Sequence, residues 1–189
     1  MNVTTDAVSG APLVSLPAGA LPTIHRLLAR DRSPEEAATL ARELGYDAGE
    51  GFLDAFAAWL RERGEERAPA ALPADLFWPL LAGFFASLGW GPLELELPHP
   101  GVASLSSVEW AEAEREGGAG GPTCHLTTGL LADLLGRVAG ADLAVMEVEC
   151  RSRGDERCRF VLGGAEALEV LYERLVAGDT YREALGALG

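Results

Sequence analysis

Apolar residues recur at every third or fourth position from Ala37 through Leu40, Ala41, Leu44, Ala48, Phe52 and Phe56 to Leu60, one stripe of a 3.6-residue period. Just ahead of it, Ser33-Pro34-Glu35-Glu36 combines an N-cap, a proline at the first helical position and a capping-box glutamate. Together they predict a long helix ending near Gly64. Gly45 and Gly49 sit one turn apart inside it. Each costs about 1 kcal/mol of helix propensity, so the pair points to close approach by another element. Residues 64–73 read as a linker and Leu76 to Leu88 as a second, aromatic-rich helix. Leu93, Leu95 and Leu97 alternate with Glu94 and Glu96, the period of a strand with one wet face; a turn at 98–101 allows Val102 to Val108 to pair with it. Cys124 to Arg137 is amphipathic and helical. Leu143 to Arg151 and Arg157 to Leu162 are β-type runs joined by Ser152 to Glu156, a hairpin with Gly154 at its tip. Residues 166–176 and 180–188 close the chain as helices. Residues 1–20 carry no period and read as a loose arm before a single domain over 21–189. Helices and antiparallel strands in blocks imply an α+β fold, an antiparallel sheet with helices packed on one face.

Composition narrows the function classes. Apolar residues make up 48% of the chain and charged residues 23%, ordinary for a folded domain. Against 29 acidic residues stand 15 basic ones, and the formal charge of -14 repels phosphate backbones and anionic lipid headgroups, so no nucleic-acid partner is expected. Every basic residue is Arg. The phosphate-loop signature is therefore impossible, and the glycine run at 117–121 lacks dinucleotide-binding spacing. Three cysteines are too few, and odd in number, for a secreted disulfide framework, which points to the cytoplasm. Leu76 to Leu93 carries no charge, but Pro79, Gly83, Ser87, Gly89 and Gly91 interrupt it. It reads as a core helix and a turn rather than a membrane span.

The chemistry-bearing residues cluster late in the chain. Cys150 and Cys158 are symmetric about Gly154, so in a hairpin centred there the thiols face each other, about 5 Å apart between Cβ atoms. A disulfide, a soft metal and simple core packing all remain open on that spacing. Cys124 begins a helix, where the dipole favours thiolate. His125 follows it, but consecutive helical residues diverge, so a Cys124–His125 nucleophile is not expected. His25 and His99 receive no role. Alternation sends Glu147 and Glu149 to the face opposite Cys150, with Glu149 across from Arg159 as an ion pair. Glu147 would join Cys150 only through a bulge.

The stretch C-H-L-T-T-G-L-L-A-D-L-L-G-R from Cys124, followed by M-E-V-E-C-R-S-R-G-D-E-R-C-R-F-V, resembles the 4-vinyl-reductase domain family. Fainter likenesses lie in L-G-Y-D-A-G-E at 44–50 and S-V-E-W-A-E-A-E at 107–114. The resemblance implies the α/β fold of the small TRAPP subunits, with helices on an antiparallel sheet and a homodimer. The family includes sensor domains of phenol- and xylene-responsive activators and a protein of bacteriochlorophyll synthesis. In the sensors three cysteines and a glutamate hold structural zinc, and the spacing carries over to Cys124, Glu147, Cys150 and Cys158. It also implies a distorted strand at Glu147. His125 departs from the Trp usual in the phenol sensors.

Two functions follow as expectations. One is a binding module for a hydrophobic or aromatic small molecule, lined by Phe52, Phe56 and Trp59 of the first long helix, by Phe77, Trp78 and Phe84 of the second, and by Trp90. The other is an accessory, carrier or reductase protein acting on a vinyl tetrapyrrole, although no nicotinamide or flavin motif is legible. A homodimer is expected, with its contact near Gly45 and Gly49.

Overall fold

A computed structural model describes residues 13–14, 17, 19–113 and 121–188. The expected arm at 1–20 lies almost wholly outside them, as do residues 114–120 of the polar tract. Helix α1 (Ala20–Leu28), for which the pattern holds no cap, precedes the long helix α2 (Pro34–Arg61). The Ser33 capping box forms in full: the Glu36 amide donates to Ser33 Oγ, and the Ser33 amide donates to the Glu36 carboxylate. Helix α3 (Ala74–Ser87) starts behind Pro73, which pre-sets its first turn and brings Asp75 into it. Next come β1 (Glu94–His99), β2 (Val102–Ser107) and α4 (His125–Ala139), which Gly140 closes in the left-handed conformation. Strands β3 (Ala144–Glu149) and β4 (Cys158–Gly163) and helices α5 (Ala165–Val176) and α6 (Tyr181–Leu185) complete the chain.

The four strands form one antiparallel sheet in the order β1-β2-β4-β3. Leu105, Phe160 and Leu162 point from one face into the main core, under α2, α3 and α4. This layer is the α+β arrangement read from the chain. The opposite face has a smaller cover that the pattern did not assign there: Leu168 and Leu171 of α5 and Ala184 of α6 pack on Val102 and Val161. In β1 the alternation also stops early. Leu93 and Leu95 face inward, but irregular pairing between Glu96 and His99 leaves Leu97 72% exposed.

Helices α2 and α4 cross in backbone contact. A Cβ on Gly45 would lie 1.9 Å from the Leu126 carbonyl oxygen, and one on Gly129 would lie 2.0 Å from that of Arg42. Gly49 faces Asp133, whose side chain would meet an added Cβ at 2.3 Å. Close approach at the glycines is therefore real, but α4 of the same chain occupies that face. The expectation of a dimer contact near Gly45 and Gly49 is corrected accordingly. Among the described residues no helix is long and apolar enough to cross a membrane, and the uncharged run from Leu76 folds as α3 and the turn after it.

Candidate functional site

The metal-type residues come together through a bulge in β3. Glu147 pairs with Phe160 and Glu149 with Arg159, so the register slips by one residue at Val148. That extra residue reverses the parity of everything before it. Glu147 thus shares a face with Phe160, Cys158 and Cys150, while Glu149 stays on the other face and pairs with Arg159 at 2.9 Å. After β3 the chain turns through a short 3-10 segment, Arg151–Arg153, closed by Gly154 at φ 102°. The Cys150 amide donates to Asp155 Oδ2 at 2.7 Å, and Arg153 pairs with the same carboxylate, which locks the turn holding the cysteine. Cys124 enters from the N-cap of α4.

One ligand atom from each of Cys124, Glu147, Cys150 and Cys158 lies within 4.8 Å of every other, a group able to hold a metal ion. All three cysteines are free and fully buried. Cys124 Sγ and Cys158 Sγ are 3.7 Å apart. The edge of a tetrahedron with metal–sulfur bonds of about 2.3 Å is about 3.8 Å long. Glu147 Oε2 accepts the Cys124 amide at 3.0 Å, whereas its Oε1 is buried without a hydrogen-bond partner. An orphaned carboxylate oxygen beside three thiols is costly unless a cation completes it. The residues fit a metal.

Electrostatics agree. Four acids this close cannot all ionise without a cation. Burial first, and then the charge at Cys150, push the Glu147 carboxyl up to about 9. Hydrogen bonds to Cys150 and Cys158, reinforced by burial, hold the Cys124 thiol well above its ordinary range. The hydrogen bond to Cys124 lowers Cys158, but the bond to Cys150 and burial outweigh it and leave Cys158 at about 12. Cys150, receiving hydrogen bonds from both other thiols, is drawn down and carries the charge.

A second carboxylate anchors the cluster and has no motif of its own. Glu112 is fully buried and caps α4 from outside the helix: Oε1 accepts the Leu126 amide at 2.9 Å, and Oε2 accepts the Thr127 amide at 2.8 Å together with the Thr127 hydroxyl. Trp110 Nε1 donates to Thr127 Oγ1 at 2.8 Å, and His25 Nε2 of α1 lies 3.0 Å from Glu112 Oε1. His25, given no role from sequence, therefore ties α1 to this cap. Both Trp110 and Glu112 stand in the S-V-E-W-A-E-A-E stretch, the one signal that could have marked them. His125, next to Cys124, is kept toward its neutral form by burial and by nearby Arg42.

The seven aromatic residues named as pocket lining separate into two groups. Phe52, Phe56, Trp59, Phe84 and Trp90 contact one another or Phe85 at centroid distances of 5.3 to 6.2 Å, and Phe56 is fully buried. Phe77 and Trp78, edge to face at 5.0 Å, reach open space. One pocket of about 420 Å³ lies between α3 and the β1–β2 edge, walled by Trp78, Leu81, Leu93, Leu95 and Leu105, with Asp75 at its rim. A second, of about 220 Å³, lies between Phe77, Trp78, Leu135, Val138, Leu143 and Leu162. Trp78 and Ala74 line both.

Comparison with known proteins bears on this arrangement. The vinyl-4-reductase domain family matches residues 106–164, a span holding Glu112 and all four members of the cluster. The bacteriochlorophyll synthase 23 kDa chain of Cereibacter sphaeroides is 31% identical over 171 residues, 82% of this chain and 77% of its own. Among solved structures, the phenol-responsive sensory domain of the transcription activator PoxR, with phenol, superimposes with a TM-score of 0.62 at 13% identity over 88% of this chain and 84% of that one. A trafficking protein particle complex subunit 3 from Naegleria fowleri, covalently bound to palmitic acid, gives 0.57 at 12% identity over 77% and 91%. These two share the fold. With a domain match enclosing the cluster and a relative 31% identical over most of both lengths, the chain belongs to the vinyl-4-reductase domain family.

Proposed function

We propose that this chain is a zinc-stabilised binding domain for a hydrophobic or aromatic small molecule, working in the cytoplasm as a homodimer. The observation that carries the reading is the separation of two roles. The only metal-type cluster among the described residues is buried and supplies four ligands, whereas the accessible apolar pockets flank Trp78 on α3. Thiolate and carboxylate donors suit zinc, and four protein ligands leave no open position for catalysis. The metal would hold the α4 N-terminus and the β3–β4 turn together. The phenol-sensing neighbour of like fold supports a ligand between helices and sheet.

Trp78→Ala tests the reading. It is expected to weaken aromatic ligands in a thermal-shift panel while leaving metal content unchanged. Phe56→Ala serves as the contrast. Phe56 is buried within the aromatic layer, so its truncation should lower stability by about 3 to 5 kcal/mol through a cavity. A panel without any shift would overturn the binding function.

A second reading has its own support. The relative at 31% identity is named for bacteriochlorophyll synthesis. An accessory, carrier or reductase protein for a vinyl tetrapyrrole would use the same pockets. Reduction of such a pigment by purified protein with a nicotinamide cofactor would move the assignment to an enzyme; binding without turnover would leave a carrier.

A further inference from the structure

The two pockets beneath α3 have an unusual wall chemistry. Among all their lining residues, Asp75 alone carries an ionisable side chain, and no Arg or His faces either space. Asp75 is exposed at the rim, in the first turn of α3. The indole N–H of Trp78 is the sole side-chain hydrogen-bond donor in the lining. The pockets also run in line across the sheet: Leu95 belongs to β1, Leu105 to β2 and Leu162 to β4, which are consecutive neighbours. Two strand spacings make about 10 Å. Trp78, half-buried and common to both, stands as the partition.

We infer that this groove selects an uncharged, elongated apolar molecule and excludes carboxylates, with Asp75 as the charge-selecting residue and Trp78 as the divider between its two compartments. The inference rests on the proposed binding function and narrows its ligand class. A carboxylate entering here would lose its hydration without meeting a cation and would face the Asp75 charge. The chain's formal charge of -14 opposes the same anion at longer range. A neutral ester or hydrocarbon incurs neither cost. An acid could remain only with its carboxylate held out in solvent, where salt screens the repulsion.

The matched probes are 1-pyrenebutyric acid and its methyl ester, titrated into the full chain with tryptophan-to-pyrene energy transfer as the readout. The ester is expected to bind about five- to tenfold more tightly than the acid at low salt. Because an ester is also the more apolar probe, the deciding measurement is the Asp75→Asn variant, which should tighten the acid while leaving the ester unchanged. Asp75→Arg should bring the acid level with the ester or below it in Kd. Trp78→Ala should change both probes, which locates them in the groove. An acid that binds wild type as well as the ester does, or an acid–ester gap indifferent to Asp75, overturns the selectivity and leaves the binding function standing. Binding of neither probe overturns both.

Discussion

Glu147 faces the cluster only because one extra residue in β3 turns it there, and its environment makes the metal's effect on stability depend on pH. Its carboxyl is raised from the ordinary 4.5 to about 9 by burial and the neighbouring Cys150 charge. In the metal-free protein, then, the stability linked to its proton is fully present below about 4.5 and is lost as pH rises through about 9. Metal binding has the opposite sign, since the ion must displace the protons of Glu147, Cys124 and Cys158. The melting-temperature gap between metal-loaded and metal-free protein should therefore widen between about pH 6 and about pH 9. Calorimetry on matched samples checks it. Cys158→Ser should remove both the gap and the metal, while a variant that still melts with wild type would deny the cluster a structural role. Glu112 matters at the same scale for a different reason. It satisfies two α4 amides that would otherwise be buried orphans, each costing about 1 to 3 kcal/mol, and so holds Cys124 where the cluster needs it.

Between elements, the decisive contact is the crossing of α2 over α4. Gly45 and Gly129 let the two backbones touch, and each side chain removed there is matched by a carbonyl on the other helix. Carbonyls within helices cannot move aside cheaply. Gly45→Ala and Gly129→Ala should each destabilise by about 1 to 3 kcal/mol despite alanine's better helix propensity. Gly51 lies in the same helix with open space around its Cβ position, so Gly51→Ala should stabilise by up to about 1 kcal/mol. Chemical denaturation of the three variants measures the contrast. A common sign for all three would mean that packing does not control the crossing. The long stripe and the glycine pair were legible because a cap and a 3.6-residue period are local. That the glycines serve α4 was not, because nothing local says which surface will arrive.

For the whole molecule, burial of Gly45 and Gly49 under α4 changes how an assembly is tested. A homodimer should scatter light with twice the 19.9 kDa chain mass at micromolar concentration. Substitutions at Gly45 should act through folding, without shifting a monomer–dimer equilibrium in the protein that does fold. A mass of one chain would remove the dimer from the proposed function. The two faces of the sheet also divide the molecule's work: α2, α3 and α4 enclose the cluster and the aromatic layer, while α5 and α6 cover the face where Arg159 pairs with Glu149 and Glu96. The charge on this exterior disfavours polyanions, a property of composition that needs no fold.

Sequence alone determined the capped helices, the two hairpins, the α+β class and, through family resemblance, the four residues of the cluster. Caps, periods and turn residues act over a few positions, so their free energies are set before any tertiary contact forms. Only the tertiary structure decided the rest. The bulge that brings Glu147 to the cysteines depends on pairing with β4. The cap on α4 comes from Glu112, across a separate segment of chain. The division of the aromatic residues into a packed layer and the Trp78 groove depends on how α3 sits on the sheet. Each joins residues distant in the chain, and such contacts are chosen by what the assembled core must satisfy: buried amides need acceptors, a crowded carboxylate needs a cation, and side-chain volume must fill the space left between layers.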